Sequence, residues 1–325
     1  MPSMYLGIEI GGTKLQLGIG PGDGTLAALW RGPVTPAEGA DGIRKQITQA
    51  VPELLANAKR RREDLRGIGI GFGGPVDDRT RTVIKSHQIA GWDEFPLADW
   101  ISEMVGLPAV LGNDADVAGL AEALFGAGKG YSPVFYITIG SGIGGGLIID
   151  GEIYRGVGRG AAEIGHLRVP HDPFACRGAL GTYTVEGAAS GWALAHAHEI
   201  YARYQHEHDP PLYIPGSDKS TFNTKDLAEA SEEGNLLACG ILSAAWDSLA
   251  EGIVHVITLL CPRRIVIGGG VALMSEQLLF EPLRHKVAER VFKPFAGCYE
   301  IVPAALGEEV VVHGALALAY KRFGG

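Results

Sequence analysis

A glycine-rich strand–turn–strand occurs twice in this chain, and the pairing constrains the fold more than any other feature. The first copy is LGIEIGGTKLQL, residues 6–17; the second is FYITIGSGIGGGLII, residues 135–149. Each is an apolar, β-branched run, a Gly-rich turn, and a second apolar run. The turn leads into a strand and not a helix, so the second copy is not a dinucleotide fingerprint although it matches GxGxxG by letter. Glycines remove side chains from the turn, and successive backbone N–H groups can then form an anion nest. Two such turns in one chain are expected to hold a polyphosphate from two sides.

The chain has 325 residues, too many for one ordinary core and enough for two domains. Hydrophobic residues make up 46% and charged residues 20%, which places it among globular chains. The formal net charge of −9 disfavours nucleic acid as a partner, because phosphate neutralisation needs a surplus of Lys and Arg. The basic run Lys59 to Arg62 falls at the end of an expected helix, where it complements the helix dipole. Cys176, Cys239, Cys261 and Cys298 are widely spaced and form no CxxC, which suits a reducing, cytoplasmic compartment. MPSMYLGIEI has no charged segment followed by an apolar one, so no signal peptide is expected. The apolar stretch Leu236 to Leu260 carries Asp247, Glu251 and His255, and reads as a buried helix rather than a membrane span.

Strands are expected at 5–10, 14–19, 67–72, 82–86, 109–112, 134–139, 146–149, 152–154, 264–267 and 299–303. Helices are expected at 41–62 (bent at Pro52), 96–105, 114–125, 186–205, 224–232, 236–260, 272–292 and 309–322. Strands alternating with helices imply α/β layers, and the opening hairpin implies a mixed sheet. The polar, Pro- and Gly-bearing segment 206–222 reads as a surface loop.

Several residues have the chemistry of a site. Thr13 and Lys14 adjoin the first turn, where a hydroxyl and an ammonium can meet phosphate oxygens. Glu9 precedes that turn; it is either a Mg²⁺ ligand through water or an outward-facing strand residue. Gly268-Gly269-Gly270 ends a β-branched strand, for a flat ligand such as adenine or for a tight strand–helix corner. Asn113-Asp114 starts a helix, as an N-cap or as a general base at a strand end. Glu163, His166 and Glu186 lie in a glycine-crowded stretch and form a plausible clamp for hydroxyl groups.

Taken in order, these motifs resemble the ROK family (repressor, open reading frame, kinase), whose enzymatic members include ATP-dependent sugar kinases similar to bacterial glucokinase. GIEIGGTK and ITIGSGIGGGLIIDG resemble its phosphate motifs. GIGFGGPVD, GWDEFPL and GNDADVAGLAE resemble its sugar-side motifs, EIGH the signature that follows, and IVIGGGV the adenosine motif. The resemblance spans essentially the whole chain. It implies a two-lobed actin-like ATPase, ribonuclease-H-like α/β fold with mixed sheets and a sugar cleft. A small domain, 1–115, would be completed by the C-terminal helix 309–325, with a large domain at 116–308.

It further implies ATP, Mg²⁺ and a hexose, glucose first, phosphorylated at the 6-hydroxyl with Asp114 as base. Sugar ligands would be Gly74, Gln88, Asn113, Asp114, Glu163, His166 and Glu186. Nucleotide contacts would be Gly11, Gly12, Thr13, Lys14, Gly140, Ser141, Gly142, Gly268, Gly269 and Gly270. The family often forms homodimers, and no membrane or nucleic-acid partner is expected.

Three departures stand out. Glu9 replaces the family's usual Asp. Gln88 falls where family glucokinases often carry Asn. The Cys-rich zinc loop is reduced to Cys176, leaving it and His166 as remnants of the usual four ligands, so a structural zinc is not expected. Rival readings are a sugar-sensing regulator, disfavoured by the lack of a helix-turn-helix ahead of the first motif, a catalytically weak sugar-binding protein, and a kinase for fructose, mannose or an N-acetylhexosamine.

Overall fold

The computed structural model describes residues 3–86, 88–158, 160–171, 181–203, 214, 216–217 and 222–324. The chain opens with β1 (Met4–Ile10), β2 (Lys14–Gly20), β3 (Ala28–Pro33) and helix α1 (Gly39–Asn57). Next come β4 (Leu65–Phe72), β5 (Val76–Asp77), β6 (Thr82–Val83), α2 (Leu97–Val105), β7 (Ala109–Asn113) and α3 (Asp114–Phe125). The middle holds β8 (Val134–Ile139), β9 (Ile143–Ile149), β10 (Glu152–Ile153), β11 (Arg168–His171), β12 (Gly181–Thr184), α4 (Val185–Ala189) and α5 (Gly191–Arg203). Then follow α6 (Thr224–Glu232), α7 (Leu236–Leu260), β13 (Arg264–Gly268), α8 (Glu281–Arg290), β14 (Glu300–Pro303) and α9 (Val310–Phe323). Two five-stranded sheets form, in the orders β3-β2-β1-β4-β7 and β10-β9-β8-β13-β14.

The chain divides into two compact units. The first comprises Met1–Tyr136, Gly146–Ala162 and Ala304–Gly325; the second comprises Ile137–Gly145 and Glu163–Pro303. The break expected after residue 115 falls inside the first turn of α3, and α3 packs along α9 within the first unit.

In the first unit, β1 is antiparallel to β2 and parallel to β4, and β4 is parallel to β7. Side chains alternate across a strand. Leu6, Ile8 and Ile10 enter the core that holds Ile43, Ile47 and Leu54 of α1 and Ile101 of α2. Each such buried aliphatic side chain stabilises the fold by about 1.5–3 kcal/mol. Tyr5 points to the opposite face, against Val312, Leu316 and Ala319 of α9. Helix α9 comes close enough to leave no room for side chains: a Cβ at Gly314 would lie 1.9 Å from the Val117 carbonyl oxygen of α3. Strand β3, half exposed at the sheet edge, was not among the strands expected from sequence.

In the second unit, α7 is long and apolar enough to cross a membrane, but 67% of its most apolar window is buried in the fold. Two expected helices are interrupted. The stretch 186–205 breaks at Ser190, whose backbone is extended. Thr184 caps α4 by accepting from Gly187 N–H, and Ser190 Oγ accepts from Ala193 N–H to start α5. The stretch 272–292 becomes a 3-10 turn (Gly270–Leu273), a π turn (Glu276–Phe280) and then α8. Pro282 sits in the first turn of α8, where its missing N–H leaves no hydrogen bond unmade. Most of the expected loop 206–222 lies outside the described residues.

Candidate active site

The parallel register of β1, β4 and β7 gathers the first unit's candidate residues at one edge. Ile10 pairs with Phe72, and Phe72 with Asn113, so all three strands end together. Gly73 N–H donates to Ile10 O at 2.8 Å, and a Cβ at Gly73 would lie 3.4 Å from Asp114 Oδ2 and 3.6 Å from Gly11 Cα. The first glycine turn, Gly73-Gly74 and the Asp114 carboxylate are therefore neighbours.

Asn113 is the N-cap of α3. Its Oδ1 accepts from Ala115 N–H at 2.8 Å and Asp116 N–H at 3.3 Å, and its Nδ2 donates to Gly74 O at 3.0 Å. The capping alternative thus describes Asn113, and Asp114, the first residue of the helix, presents its carboxylate at the strand edge. Asp114 Oδ1 also accepts from Ala115 N–H at 2.8 Å, which fixes the side-chain orientation.

Glu9 is buried, and its register partner on β2 is Gln16. Lys14 Nζ lies 3.3 Å from Glu9 Oε1 and donates to Glu308 O at 2.9 Å, while Gln16 Nε2 donates to the same carbonyl at 3.4 Å. Desolvation pushes the Glu9 carboxyl up to about 7; Lys14 opposes the shift, and Asp114 and Glu308 add to it. Glu9 Oε2 is buried with no hydrogen-bond partner among the described residues. A buried carboxylate oxygen with spare acceptor capacity suits a hydrated cation, and Mg²⁺ characteristically uses one or two carboxylates plus substrate phosphates.

Gln88, expected on the sugar side, lies against the first glycine turn. A Cβ at Gly12 would fall 1.5 Å from Gln88 Oε1, so the carboxamide fills the space that any larger residue at 12 would need. Thr13 is exposed at the tip of that turn.

In the second unit, the Gly140–Gly142 turn joins β8 to β9, with Ser141 exposed. The break at Ser190 brings the start of α5 to this turn: Gly191 N–H donates to Gly140 O at 2.8 Å. A Cβ at Gly269, whose φ is +90°, would lie 2.5 Å from Ile139 O, which packs the Gly268–Gly270 corner against the same strand end. Among the described residues, no atom beyond the chain neighbours lies within 4 Å of where a Cβ at Gly140 or Gly270 would point, which leaves space for a ligand beside the backbone at both. Trp192, 64% exposed and stacked on His196, stands beside the turn; sequence reasoning missed it, since a lone Trp at a helix start carries no motif.

Glu186 Oε2 accepts from Ile143 N–H at 2.8 Å and lies 2.5 Å from where a Cβ at Gly142 would be. It braces the second glycine turn, a contact not foreseen for an expected sugar ligand. Glu163 interacts electrostatically with both His166 and Glu186. Desolvation raises the Glu163 carboxyl, His166 pulls it down, and Glu186 adds to the rise. The zinc-loop remnant Cys176 lies outside the described residues.

The ROK family model matches residues 5–322. Over 328 residues the chain is 30% identical to a glucokinase of Thermotoga maritima, covering 100% of both. Among solved structures, a ROK family glucokinase from Streptomyces griseus in complex with glucose and AMPPNP matches with 31% identity, a TM-score of 0.76, and coverage of 98% of this chain and 99% of that one. A ROK hexokinase from Thermus thermophilus matches with 27% identity, a TM-score of 0.77 and 98% coverage of each. The mixed sheets are those of an actin-like ATPase fold. A family match over nearly every residue, on a fold that sets both glycine turns at strand ends, makes this chain a member of the ROK family.

Proposed function

We propose that this protein is an ATP-dependent hexose kinase, with glucose the first candidate, transferring the terminal phosphoryl group to the sugar 6-hydroxyl. One observation carries the reading: the common edge of β1, β4 and β7 has Asp114 Oδ2 beside Gly73 and the first glycine turn, with a Glu9 oxygen on β1 that has no hydrogen-bond partner among the described residues. The Streptomyces griseus relative in complex with glucose and AMPPNP supports the same substrate pair.

Asp114 accepts the hydroxyl proton as the oxygen attacks phosphorus; its link to Ala115 N–H holds it in one orientation. Asn113 shapes the same edge through Gly74. Gly11, Gly12, Thr13 and Lys14 in the first unit, and Gly140, Ser141, Gly142, Gly268, Gly269 and Gly270 in the second, are the proposed nucleotide contacts. Glu163, His166 and Glu186 are proposed to bind sugar hydroxyls. Mg²⁺ held through water by Glu9 would neutralise charge on the phosphates. Positioning and charge supply most of the rate, because phosphoryl transfer needs little covalent chemistry from the protein. The test is ADP release across glucose, fructose, mannose, N-acetylglucosamine and N-acetylmannosamine. Sugar-dependent release with glucose preferred is expected; no sugar-dependent release overturns the kinase reading.

A further inference from the structure

The first unit contains a cavity of about 590 Å³ at the other end of β7 from Asp114, where Pro108, Ala109 and Val110 form part of its wall. That volume falls in the range of small-molecule sites, roughly 300–1,000 Å³. The chain is acidic overall, yet five cationic side chains line this cavity: Arg79, Arg81, Arg155, Lys321 and Arg322. Its two acidic lining residues, Asp78 and Glu152, are already paired. Arg155 Nη1 donates to Asp78 Oδ2 at 2.8 Å, and Lys321 Nζ lies 2.6 Å from Glu152 Oε1. Arg81 pairs with Asp99. Arg79 and Arg322 are exposed, and neither guanidinium has an ion pair or side-chain hydrogen bond among the described residues. Leu120, Ile153, Leu318 and Phe323 add an apolar surface.

Two guanidiniums with no ion pair among the described residues, lining the same cavity as apolar side chains, match a particular chemistry. Arg binds phosphate oxygens with two parallel N–H bonds, and the apolar floor takes a carbon framework. We infer that this cavity is a second ligand site, for a small phosphorylated metabolite held by Arg79 and Arg322. The site is set apart from the phosphate-binding turns: it adjoins the start of β7, and the candidate base follows that strand's end.

Calorimetric titration of the full chain tests this with fructose 1,6-bisphosphate, pyrophosphate and fructose as probes. The bisphosphate carries no free 6-hydroxyl, and the readout is heat of binding, so the outcome is separate from whether the chain is a kinase. Saturable binding of the bisphosphate is expected, weakened by added salt, with any heat from fructose the same in the parent and in the variant that follows. In the double variant Arg79→Ala, Arg322→Ala, affinity should fall roughly tenfold to a hundredfold as charge-assisted bonds are lost, with the melting temperature of the ligand-free protein unchanged. Equal affinity in parent and variant, or no binding of any phosphorylated probe, overturns the site. Pyrophosphate bound as tightly as the bisphosphate, and weakened as much in the double variant, overturns the assignment to an organic phosphate.

Discussion

Glu9 and Lys14 face each other across the first glycine turn, 3.3 Å from Oε1 to Nζ, with the carboxylate buried and the ammonium 40% exposed. The pair is unequal. Lys14 is open to solvent, while Glu9 is buried and keeps one oxygen with no hydrogen-bond partner among the described residues. Its carboxyl therefore titrates near 7 rather than its ordinary 4.5. The folded protein holds this proton to higher pH than the unfolded chain does, so the stability linked to it is full below about 4.5 and is lost as pH rises through about 7. The span corresponds to about 3 kcal/mol. In urea unfolding of metal-free protein at pH 5 and pH 8, the parent should lose more stability between the two than Glu9→Gln, by about 2–3 kcal/mol. Parallel pH dependences would show that Glu9 is not desolvated.

Asp114→Asn tests the base directly. The amide keeps an oxygen to accept from Ala115 N–H, so α3 should start as before. Turnover in an ADP-release assay should fall roughly 10²–10⁴-fold, the usual weight of a general base, with glucose affinity by calorimetry largely retained. Near-parental turnover would remove Asp114 from that role.

The position of Gln88 separates two roles by which Michaelis constant moves. Its carboxamide packs over Gly12, so Gln88→Ala should loosen the first glycine turn. The KM for ATP should rise roughly fivefold, about 1 kcal/mol of lost packing against the turn, with the KM for glucose little changed. A rise in the glucose KM alone would support the sugar-side role expected for Gln88.

Much of this was legible in the sequence because local chemistry carried it. Both hairpins follow from glycines flanked by β-branched runs, and the α3 start follows from Asn113, whose side chain bonds its own helix. Features set by distant residues were not legible. Strand β3 carries Arg31, Gly32 and Pro33 on a half-exposed edge, so its pattern resembles a loop. The break at Ser190 sits inside a continuous helical pattern, yet it determines where α5 meets Gly140. Glu308 acts through its backbone carbonyl, which no side-chain motif can announce.

Glu122 shows the same limit and gives a stability test. It is fully buried, and its carboxylate accepts three backbone N–H groups: Ala127 through Oε2 at 2.7 Å, and Ala305 and Leu306 through Oε1 at 2.9 Å each. The last two donors lie more than 180 residues along the chain. The carboxylate thus ties the end of α3 to the segment that leads into α9, whose packing on α3 leaves only a glycine's room at 314. In Glu122→Gln one oxygen becomes an NH₂ that cannot accept, so at least one part-buried N–H loses its bond to this side chain and two donors are opposed. The loss should be about 1.5–3 kcal/mol, the worth of a hydrogen bond to a charged group. Urea unfolding measures it. Since Glu122 lies outside the proposed catalytic edge, glucose KM at low temperature should stay near the parent value, and a large rise would mean that α3 moves with this contact and carries Asp114 with it.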